Sequence, residues 1–119
     1  ASTDKDVFIK GDELLLQIAL SNLIDNALKY APKESPVYVD LMDEDDILQV
    51  KVSDQGQGVA DEEKKRIFDK FYRSGNENTR KAKGTGLGLY LTKKIIEDHN
   101  GDIFVMDNTP HGSIFVIQF

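Results

Sequence analysis

Residues 14–28 most constrain the fold of this chain, because they are rich in apolar residues yet carry two asparagines. The apolar residues that flank the asparagines include Leu14, Leu15, Ile18, Ala19, Leu23, Ile24, Ala27 and Leu28. Apolar positions at this spacing predict a helix, and their number predicts that the helix is mostly buried. Asp12 is a suitable N-cap, and the helix is expected to end near Tyr30, before Pro32.

Asn22, Asn26 and Lys29 are polar residues within or next to this apolar stretch. At about 100° per residue they fall within a wedge roughly 60° wide, so they share one stripe of the helix. Burying such groups without partners costs about 1–3 kcal/mol each. Two interpretations follow from the helix alone. The stripe binds a metal ion and phosphate, or it is a polar seam bonded to neighbouring loops.

The size, composition and charge of the chain exclude several classes of protein. At 119 residues it has the size of one domain, and it contains no cysteine for a disulfide or a thiolate metal site. No apolar run has the length of a membrane span or a signal peptide, so we expect a cytoplasmic domain without direct membrane contact. The net charge of −6 argues against general nucleic-acid binding. A cluster of Lys and Arg residues over 64–83 nevertheless favours an anionic ligand near the glycines that follow.

Alternation of apolar and polar residues predicts two strands, at 37–41 and 48–52, joined as a hairpin by an acidic turn. Residues 74–83 have no periodicity and predict a loop. Further elements are predicted in this order: a strand at 7–9, a helix from Asp61 towards Phe71, a helix at 85–100, and strands at 103–106 and 113–119. Because no regular βαβ repeat is present, the expected fold is an α/β, more strictly α+β, two-layer sandwich. One mixed sheet would be covered on one face by about three helices.

Asp54 follows the second strand of the hairpin with the same parity as Val50 and Val52. Side chains alternate across a strand, so the Asp54 carboxylate is predicted to point towards the core. A buried carboxylate needs hydrogen-bond donors. It could cap backbone amides of the turn that contains Gly56 and Gly58, or it could accept a hydrogen bond from a ligand.

A glycine-rich segment at 84–89 (GTGLGL) begins the last predicted helix. Its spacing differs from the G-x-G-x-x-G dinucleotide fingerprint, and the chain has no G-x-x-x-x-G-K-S/T phosphate loop. Glycines that open a helix expose backbone N–H groups and the positive end of the helix dipole to an anion. A flexible hinge is the alternative interpretation, and the two roles are compatible.

Four segments together resemble the N, G1, F and G2 boxes of the histidine kinase catalytic domain. They are the helix with Asn22 and Asn26, then 54–58 (DQGQG), 67–73 (IFDKFYR) and 84–89. That domain is a branch of the ATPase superfamily that includes DNA gyrase. The resemblance runs from about Ile9 to Phe119. It implies a Bergerat-type ATP-binding fold with ATP and Mg²⁺ as cofactors.

The resemblance also implies roles for individual residues. Asn26, assisted by Asn22, would hold Mg²⁺ on the phosphates, and Lys29 would neutralise phosphate charge. Asp54 would accept a hydrogen bond from the exocyclic amine of adenine, with Gly56 and Gly58 leaving room for the base. The other nucleotide-binding residues implied are Tyr30, Arg73, Gly84, Thr85, Gly86, Leu87, Gly88 and Leu89. A surface ion pair is the alternative interpretation of Arg73, and packing at the helix end is the alternative for Tyr30.

The F box and the loop after it would control access to the nucleotide. By resemblance, residues 74–83 would form an ATP lid, and Phe68 and Phe71 would anchor its near end. Phenylalanines three apart on a helix are more often core residues, so a packing role is the simpler interpretation of this pair.

The resemblance points to phosphoryl transfer rather than hydrolysis. In gyrase-like relatives, a glutamate one helical turn before the metal-binding asparagine is the general base. Asn22 occupies that position here, and a carboxamide cannot take a proton. The implied reaction is transfer of the γ-phosphoryl group of ATP to a histidine of a separate phosphoacceptor hairpin. A response regulator would follow in a two-component pathway.

His99 and His111 lack the phosphoacceptor motif of histidine kinases and are interpreted as structural. Residues 1–119 would therefore be a catalytic and ATP-binding domain without its own phosphoacceptor hairpin. The resemblance implies that the hairpin domain provides dimerisation, so we expect this fragment to be a monomer. It also implies a parent protein anchored to the inner membrane, for which no residue of this chain gives support. Two alternative functions remain: a serine kinase of the anti-sigma-factor type, and a nucleotide-binding or docking module without transfer activity.

Overall fold

The computed structural model describes residues 11–70 and 88–119. This part of the chain contains two α-helices, α1 (Glu13–Tyr30) and α2 (Gly88–Asp98). Its strands are β1 (Tyr38–Glu44), β2 (Ile47–Ser53), β3 (Asp102–Asp107) and β4 (Ser113–Gln118). The strand predicted at 7–9 and the loop predicted at 74–83 lie outside the described residues.

Helix α1 has the bounds that the sequence predicts. Asp12 caps its N-terminus, because Oδ1 of Asp12 accepts a hydrogen bond from the backbone N–H of Leu15 at 3.0 Å. At the other end Ala31 is already extended, as expected for the residue before Pro32. Local chemistry therefore fixes both ends of this helix.

The prediction that α1 is mostly buried is wrong. Only Ala19, Leu23 and Ala27 are fully covered, and they form one narrow face. Four of the apolar residues remain well exposed in the structure: Leu14, Leu15, Ile18 and Leu28. The helix lies in an outer layer and meets the sheet on one side only, so an apolar sequence does not suffice to bury it.

The four described strands form one sheet in the order β1-β2-β4-β3, and every pairing among them is antiparallel. Cross-strand pairing aligns Val39, Val52, Phe115 and Val105 in one row. This row belongs to the face that packs against the helices, where α1 contributes Leu23 and α2 contributes Ile96 to the same core. The predicted α+β two-layer sandwich is confirmed, although a mixed pairing is not seen among the described strands.

The helix predicted from Asp61 is replaced, up to Lys70, by two short 3₁₀ turns, Asp61–Glu63 and Arg66–Phe68. In this segment only the consecutive residues Ile67 and Phe68 are buried. Phe68 packs edge-to-face on Phe115, with ring centroids 6.2 Å apart. Within this segment, no apolar residue lies one helical turn away from Ile67 or Phe68. A longer helix would therefore have no continuous apolar face to bury.

Helices α1 and α2 lie antiparallel. At one end the backbone N–H of Asp12 donates to Nε2 of His99 at 2.9 Å. At the other end Nδ2 of Asn22 lies 3.5 Å from the carbonyl oxygen of Gly88. Helix α2 ends at Asp98, and the turn that follows contains Asn100, which is left-handed with φ 64°, and Gly101, the stop that the sequence predicts. In the described residues no helix is long and apolar enough to span a membrane.

Candidate functional site

Asp54 is the central polar group of the site. Its predicted inward orientation is confirmed, since only 4% of the residue is exposed. Oδ1 accepts hydrogen bonds from the backbone N–H groups of Gly56, at 2.9 Å, and Ser113, at 3.3 Å. Within the described residues no hydrogen bond reaches Oδ2. The carboxylate therefore caps its own turn with one oxygen and leaves the other for a donor from outside.

We call residues 54–58 the aspartate loop and residues 108–112, between β3 and β4, the β3–β4 turn. Two side chains of the β3–β4 turn bind the backbone of the aspartate loop. Nδ2 of Asn108 donates to the carbonyl oxygen of Asp54 at 2.8 Å. Nδ1 of His111 lies 3.1 Å from the carbonyl oxygen of Gly56, and because a carbonyl only accepts, this nitrogen carries the hydrogen.

Close backbone contact explains two glycines of the site. Gly112 has φ +111°, and a Cβ added there would lie 2.0 Å from the carbonyl oxygen of Asp54. A Cβ on Gly56 would lie 2.7 Å from the carbonyl oxygen of Tyr30. The aspartate loop therefore fits between the β3–β4 turn and the C-terminal end of α1 with no space for side chains at these positions.

Neither Asn108 nor Ser113 is predicted from the sequence as a site residue, and His111 is predicted only to be structural. These residues lie more than fifty positions from the aspartate loop in the chain. They reach it because β2 pairs with β4, which places Ser53 opposite Ile114. No spacing rule within the sequence gives this contact; only the strand order does.

The polar stripe of α1 lies beside the start of α2. Asn22 and Asn26 are half-buried, and Lys29 is exposed. The carbonyl oxygen of Gly88, which Asn22 approaches, also accepts a hydrogen bond from Oγ1 of Thr92 at 2.8 Å. In the part of the chain that the structure describes, no hydrogen bond is made by the Asn26 amide. Both amide oxygens are chemically suited to a hard cation or its water ligands.

A metal ion at this stripe would have few protein ligands. Among residues 11–70 and 88–119, no three His, Cys, Asp or Glu side chains form a cluster that could hold one. Oxygens of the two amides, of water and of a phosphate would complete the shell, an arrangement that Mg²⁺ commonly accepts.

The remaining predicted residues divide between the described and undescribed parts of the chain. Tyr30 is half exposed at the end of α1, Gly88 is exposed at the start of α2, and Leu89 packs against the core. Gly58 contacts the β3–β4 turn with φ +81°. The other predicted residues lie outside the described part: Arg73, Gly84, Thr85, Gly86 and Leu87, together with Phe71 of the F box.

Helix α1 connects the two parts of the site. Tyr30 lies against the aspartate loop, and Asn22 lies at the start of α2. Eight residues separate them, which corresponds to roughly 12 Å along a helix at about 1.5 Å per residue. The site is therefore elongated, with the buried carboxylate at one end and Asn22 with the start of α2 at the other. Asn26 and Lys29 lie between Asn22 and Tyr30 along α1.

This fold and site define a class of nucleotide-binding proteins. Residues 11–119 match the family of histidine kinase-, DNA gyrase B- and HSP90-like ATPases, and the chain belongs to this family. The family predicted from the four sequence boxes is confirmed.

Relatives within the family are sensor kinases. The chain is 38% identical over 103 residues to the sensor histidine kinase WalK of Bacillus subtilis, which covers 85% of this chain and 17% of WalK. The structure of the mycobacterial sensor histidine kinase MprB matches 93% of this chain and 73% of that chain, with 30% identity and a TM-score of 0.83. Full-length ShkA in complex with AMPPNP matches 92% of this chain and 22% of that chain, with 27% identity and a TM-score of 0.77.

Proposed function

We propose that this chain is the catalytic part of a sensor histidine kinase. It binds Mg-ATP and presents the γ-phosphoryl group to a histidine on a separate domain. The observation that carries the proposal is the Asp54 carboxylate, which is buried and hydrogen-bonded at Oδ1 but has no hydrogen bond at Oδ2 within the described residues. Leaving such an oxygen unpaired is costly, so a ligand donor would stabilise it.

The exocyclic amine of adenine is the donor we assign to Oδ2. A carboxylate only accepts hydrogen bonds, and guanine presents a carbonyl oxygen where adenine presents this amine. Two backbone N–H groups fix the carboxylate before any base arrives, so little ordering is needed on binding. The site would therefore select ATP over GTP.

The phosphates belong, in this proposal, at the opposite end of the site. Asn22 and Asn26 would hold Mg²⁺ with their amide oxygens, and Lys29 would reduce the negative charge of the triphosphate. When bound, Mg²⁺ would neutralise charge on the phosphate oxygens, including the charge that develops on ADP as it leaves the γ-phosphoryl group. The start of α2 adds backbone N–H groups and the positive end of a helix dipole, which favour an anion. AMPPNP in the ShkA complex, an analogue of ATP by its name, supports a nucleotide in this fold.

Asn22 supports transfer rather than hydrolysis. Its amide cannot accept a proton from water, so this position provides no general base. A histidine imidazole is itself a nucleophile and needs no base from this chain. The residues of the chain would then act by positioning the triphosphate for in-line attack and by stabilising its charge.

The chain spans only 17% of the length of WalK. We infer that the acceptor histidine lies on a phosphoacceptor hairpin of the same protein, because His99 and His111 of this chain bond to backbone groups within the fold. A response regulator would be the indirect partner. We infer a cytoplasmic location for the domain, with neither nucleic acid nor lipid as a partner, and a monomeric state for this fragment.

Calorimetric titration tests nucleotide binding. ATP and GTP are titrated, with and without Mg²⁺, into the wild type and into Asp54→Asn. The wild type should bind ATP more tightly than GTP. Asp54→Asn should lose roughly tenfold to a hundredfold in ATP affinity, because it places an N–H₂ donor against the adenine amine. Equal binding of the two nucleotides by a folded wild type would contradict the assignment of Asp54.

A transfer assay then tests the kinase activity. The chain is incubated with γ-labelled ATP and the phosphoacceptor hairpin of its parent protein. Phosphohistidine is labile to acid and stable to alkali, whereas phosphoserine shows the opposite behaviour. An acid-labile label on the hairpin supports the proposal. Good ATP binding with no label on a folded hairpin would leave a nucleotide-binding module, and an alkali-labile label would indicate the serine kinase alternative.

A further inference from the structure

Two side chains of the β3–β4 turn bind the backbone of the aspartate loop. Nδ2 of Asn108 donates to the carbonyl oxygen of Asp54 at 2.8 Å, and Nδ1 of His111 donates to the carbonyl oxygen of Gly56 at 3.1 Å. Between these two carbonyls lies the turn in which Oδ1 of Asp54 accepts the N–H of Gly56. The backbone of this turn is therefore bound on both sides of the hydrogen bond that orients the carboxylate.

Asn108 is itself firmly oriented. Its backbone N–H donates to the carbonyl oxygen of Gly112 at 3.0 Å, and its Oδ1 accepts the backbone N–H of Thr109 at 2.8 Å. With Oδ1 occupied in this way, the amide plane is fixed and Nδ2 points to Asp54. A side chain with a single orientation can hold its partner more exactly than a freely rotating one, because less rotamer entropy is lost.

The contacts have a direct geometric consequence for Oδ2. If the peptide planes at Asp54 or Gly56 rotated, the N–H of Gly56 would leave Oδ1. The carboxylate could then rotate about the Cβ–Cγ bond of Asp54, and Oδ2 would no longer point in one fixed direction. Ser113, whose backbone N–H also reaches Oδ1, resists this rotation from the β4 side.

We propose that Asn108 and His111 are positioning residues for recognition of the adenine amine, and that they act through Asp54. This inference rests on the proposed ATP site. It makes the turn between β3 and β4, which carries none of the four sequence boxes, a determinant of base specificity.

The test compares ATP with purine riboside triphosphate, which lacks the exocyclic amine. The ratio of their dissociation constants isolates the amine contact from all other binding. Each of Asn108→Ala and His111→Ala should reduce this ratio by roughly threefold to tenfold, the effect of one hydrogen bond. In the Asp54→Asn background, Asn108→Ala should change the ratio no further, because the carboxylate it orients is absent.

Matched variants separate positioning from folding. Thr109→Ala changes an exposed side chain in the same turn and should leave the ratio unchanged. His111→Gln, which retains an N–H donor, should recover most of the ratio. If Asn108→Ala does not fold, Asn108→Asp replaces it, since its carboxylate still accepts the N–H of Thr109 but cannot donate to Asp54.

The outcomes distinguish this inference from the proposed function. If the wild type binds neither ATP nor purine riboside triphosphate, or binds both equally, the assignment of Asp54 to the adenine amine fails. This inference then fails with it. If the wild type prefers ATP and Asp54→Asn abolishes the preference, the proposed base site stands. The inference is then overturned if folded Asn108 and His111 variants keep the full ratio of dissociation constants. This includes the case in which ATP and purine riboside triphosphate both bind more weakly by the same factor.

Discussion

The two ends of the site differ in how completely the protein builds them. At the aspartate loop, hydrogen bonds of 2.8–3.3 Å join residues 54–56 to the β3–β4 turn and to β4. At the start of α2, the Asn22 amide makes a contact at the limit of a hydrogen bond, 3.5 Å from the carbonyl oxygen of Gly88. In the part of the chain that the structure describes, backbone contacts close the first end but not the second, which we call the open end.

This difference indicates a division of tasks between the two ends. A preformed carboxylate discriminates between bases because it cannot reorient to suit the wrong one. A charged triphosphate and its metal carry strong acceptors and a hard cation, so they can satisfy half-buried amides on arrival. The base end would therefore determine which nucleotide binds, and the phosphate end would be completed by the ligand.

Replacing one glycine from each end should give the largest contrast in stability. Gly112→Ala places a Cβ 2.0 Å from the carbonyl oxygen of Asp54 at φ +111° and should destabilise the fold by about 3 kcal/mol or more. In Gly88→Ala the added Cβ meets nothing within 4 Å, so this helical position should gain about 0.5–1 kcal/mol. Urea unfolding of both variants measures the difference, and equal stabilities would refute the contrast between the ends.

Asn26→Ala should separate ligand binding from stability at the open end. The half-buried amide has no hydrogen bond within the described residues, so its removal should change the free energy of unfolding by less than about 0.5 kcal/mol. The affinity for Mg-ATP should nevertheless fall roughly tenfold, and the affinity for ATP in EDTA should change much less. A loss of the same size with and without Mg²⁺ would argue against a metal-holding role for Asn26.

His99→Ala tests the contact that joins α1 and α2 at the end remote from Gly88. Nε2 of His99 accepts the backbone N–H of Asp12, and Nδ1 donates to the carbonyl oxygen of Ile95 at 2.7 Å. Loss of these bonds should cost about 1–2 kcal/mol in stability while ATP affinity stays within roughly twofold, because His99 lies at the far end of α2. Lys94→Ala, an exposed change on α2, is the control for the unfolding measurement.

Lys64→Met should have the smallest effect, and one that depends on pH. The hydrogen bond from Lys64 and its charge lower the pKa of Asp61, and hydrogen bonds to Asp61 and then Asp107 raise the pKa of Lys64. The stabilisation from Asp61 is present above its unfolded pKa, about 4, and is lost as pH falls through the lowered folded value. The stabilisation from Lys64 is present below its unfolded pKa, about 10.4, and is lost as pH rises through the raised value.

Wild type and Lys64→Met should therefore differ by a small, constant amount between about pH 5 and 9. The difference should shrink below about pH 4 and at 1 M salt, since Asp61 is an exposed partner. Unfolding curves at several pH values measure this, and a gap that widens in acid would show that the ion pair is not its source.

Local sequence rules predicted those features of the fold that depend on neighbours in the chain. The caps of α1, the β1–β2 hairpin and the stop of α2 at Asn100 and Gly101 each follow from residues within one turn of the feature. Strand parity also predicted the inward side chain of Asp54 correctly. The four boxes in order predicted the family, which the match over residues 11–119 confirms.

The wrong predictions concern features that depend on packing. Helix α1 has enough apolar residues to be buried on most sides, but the sheet covers only one of them. The segment after Asp61 carries helix-compatible residues, yet the burial of Ile67 and Phe68 against the core is satisfied by short turns. In both cases the surface available for packing, rather than the helix propensity of the segment, determined the structure that formed.

The sequence by itself determined the helices and strands named above, the buried carboxylate and the family, because these follow from residue type, periodicity and order. The tertiary structure alone decided what surrounds the carboxylate. Pairing of β2 with β4 brings Asn108, His111 and Ser113 to Asp54 across more than fifty residues of chain. Such contacts arise from strand order and close backbone packing, and neither leaves a periodic signal in the sequence.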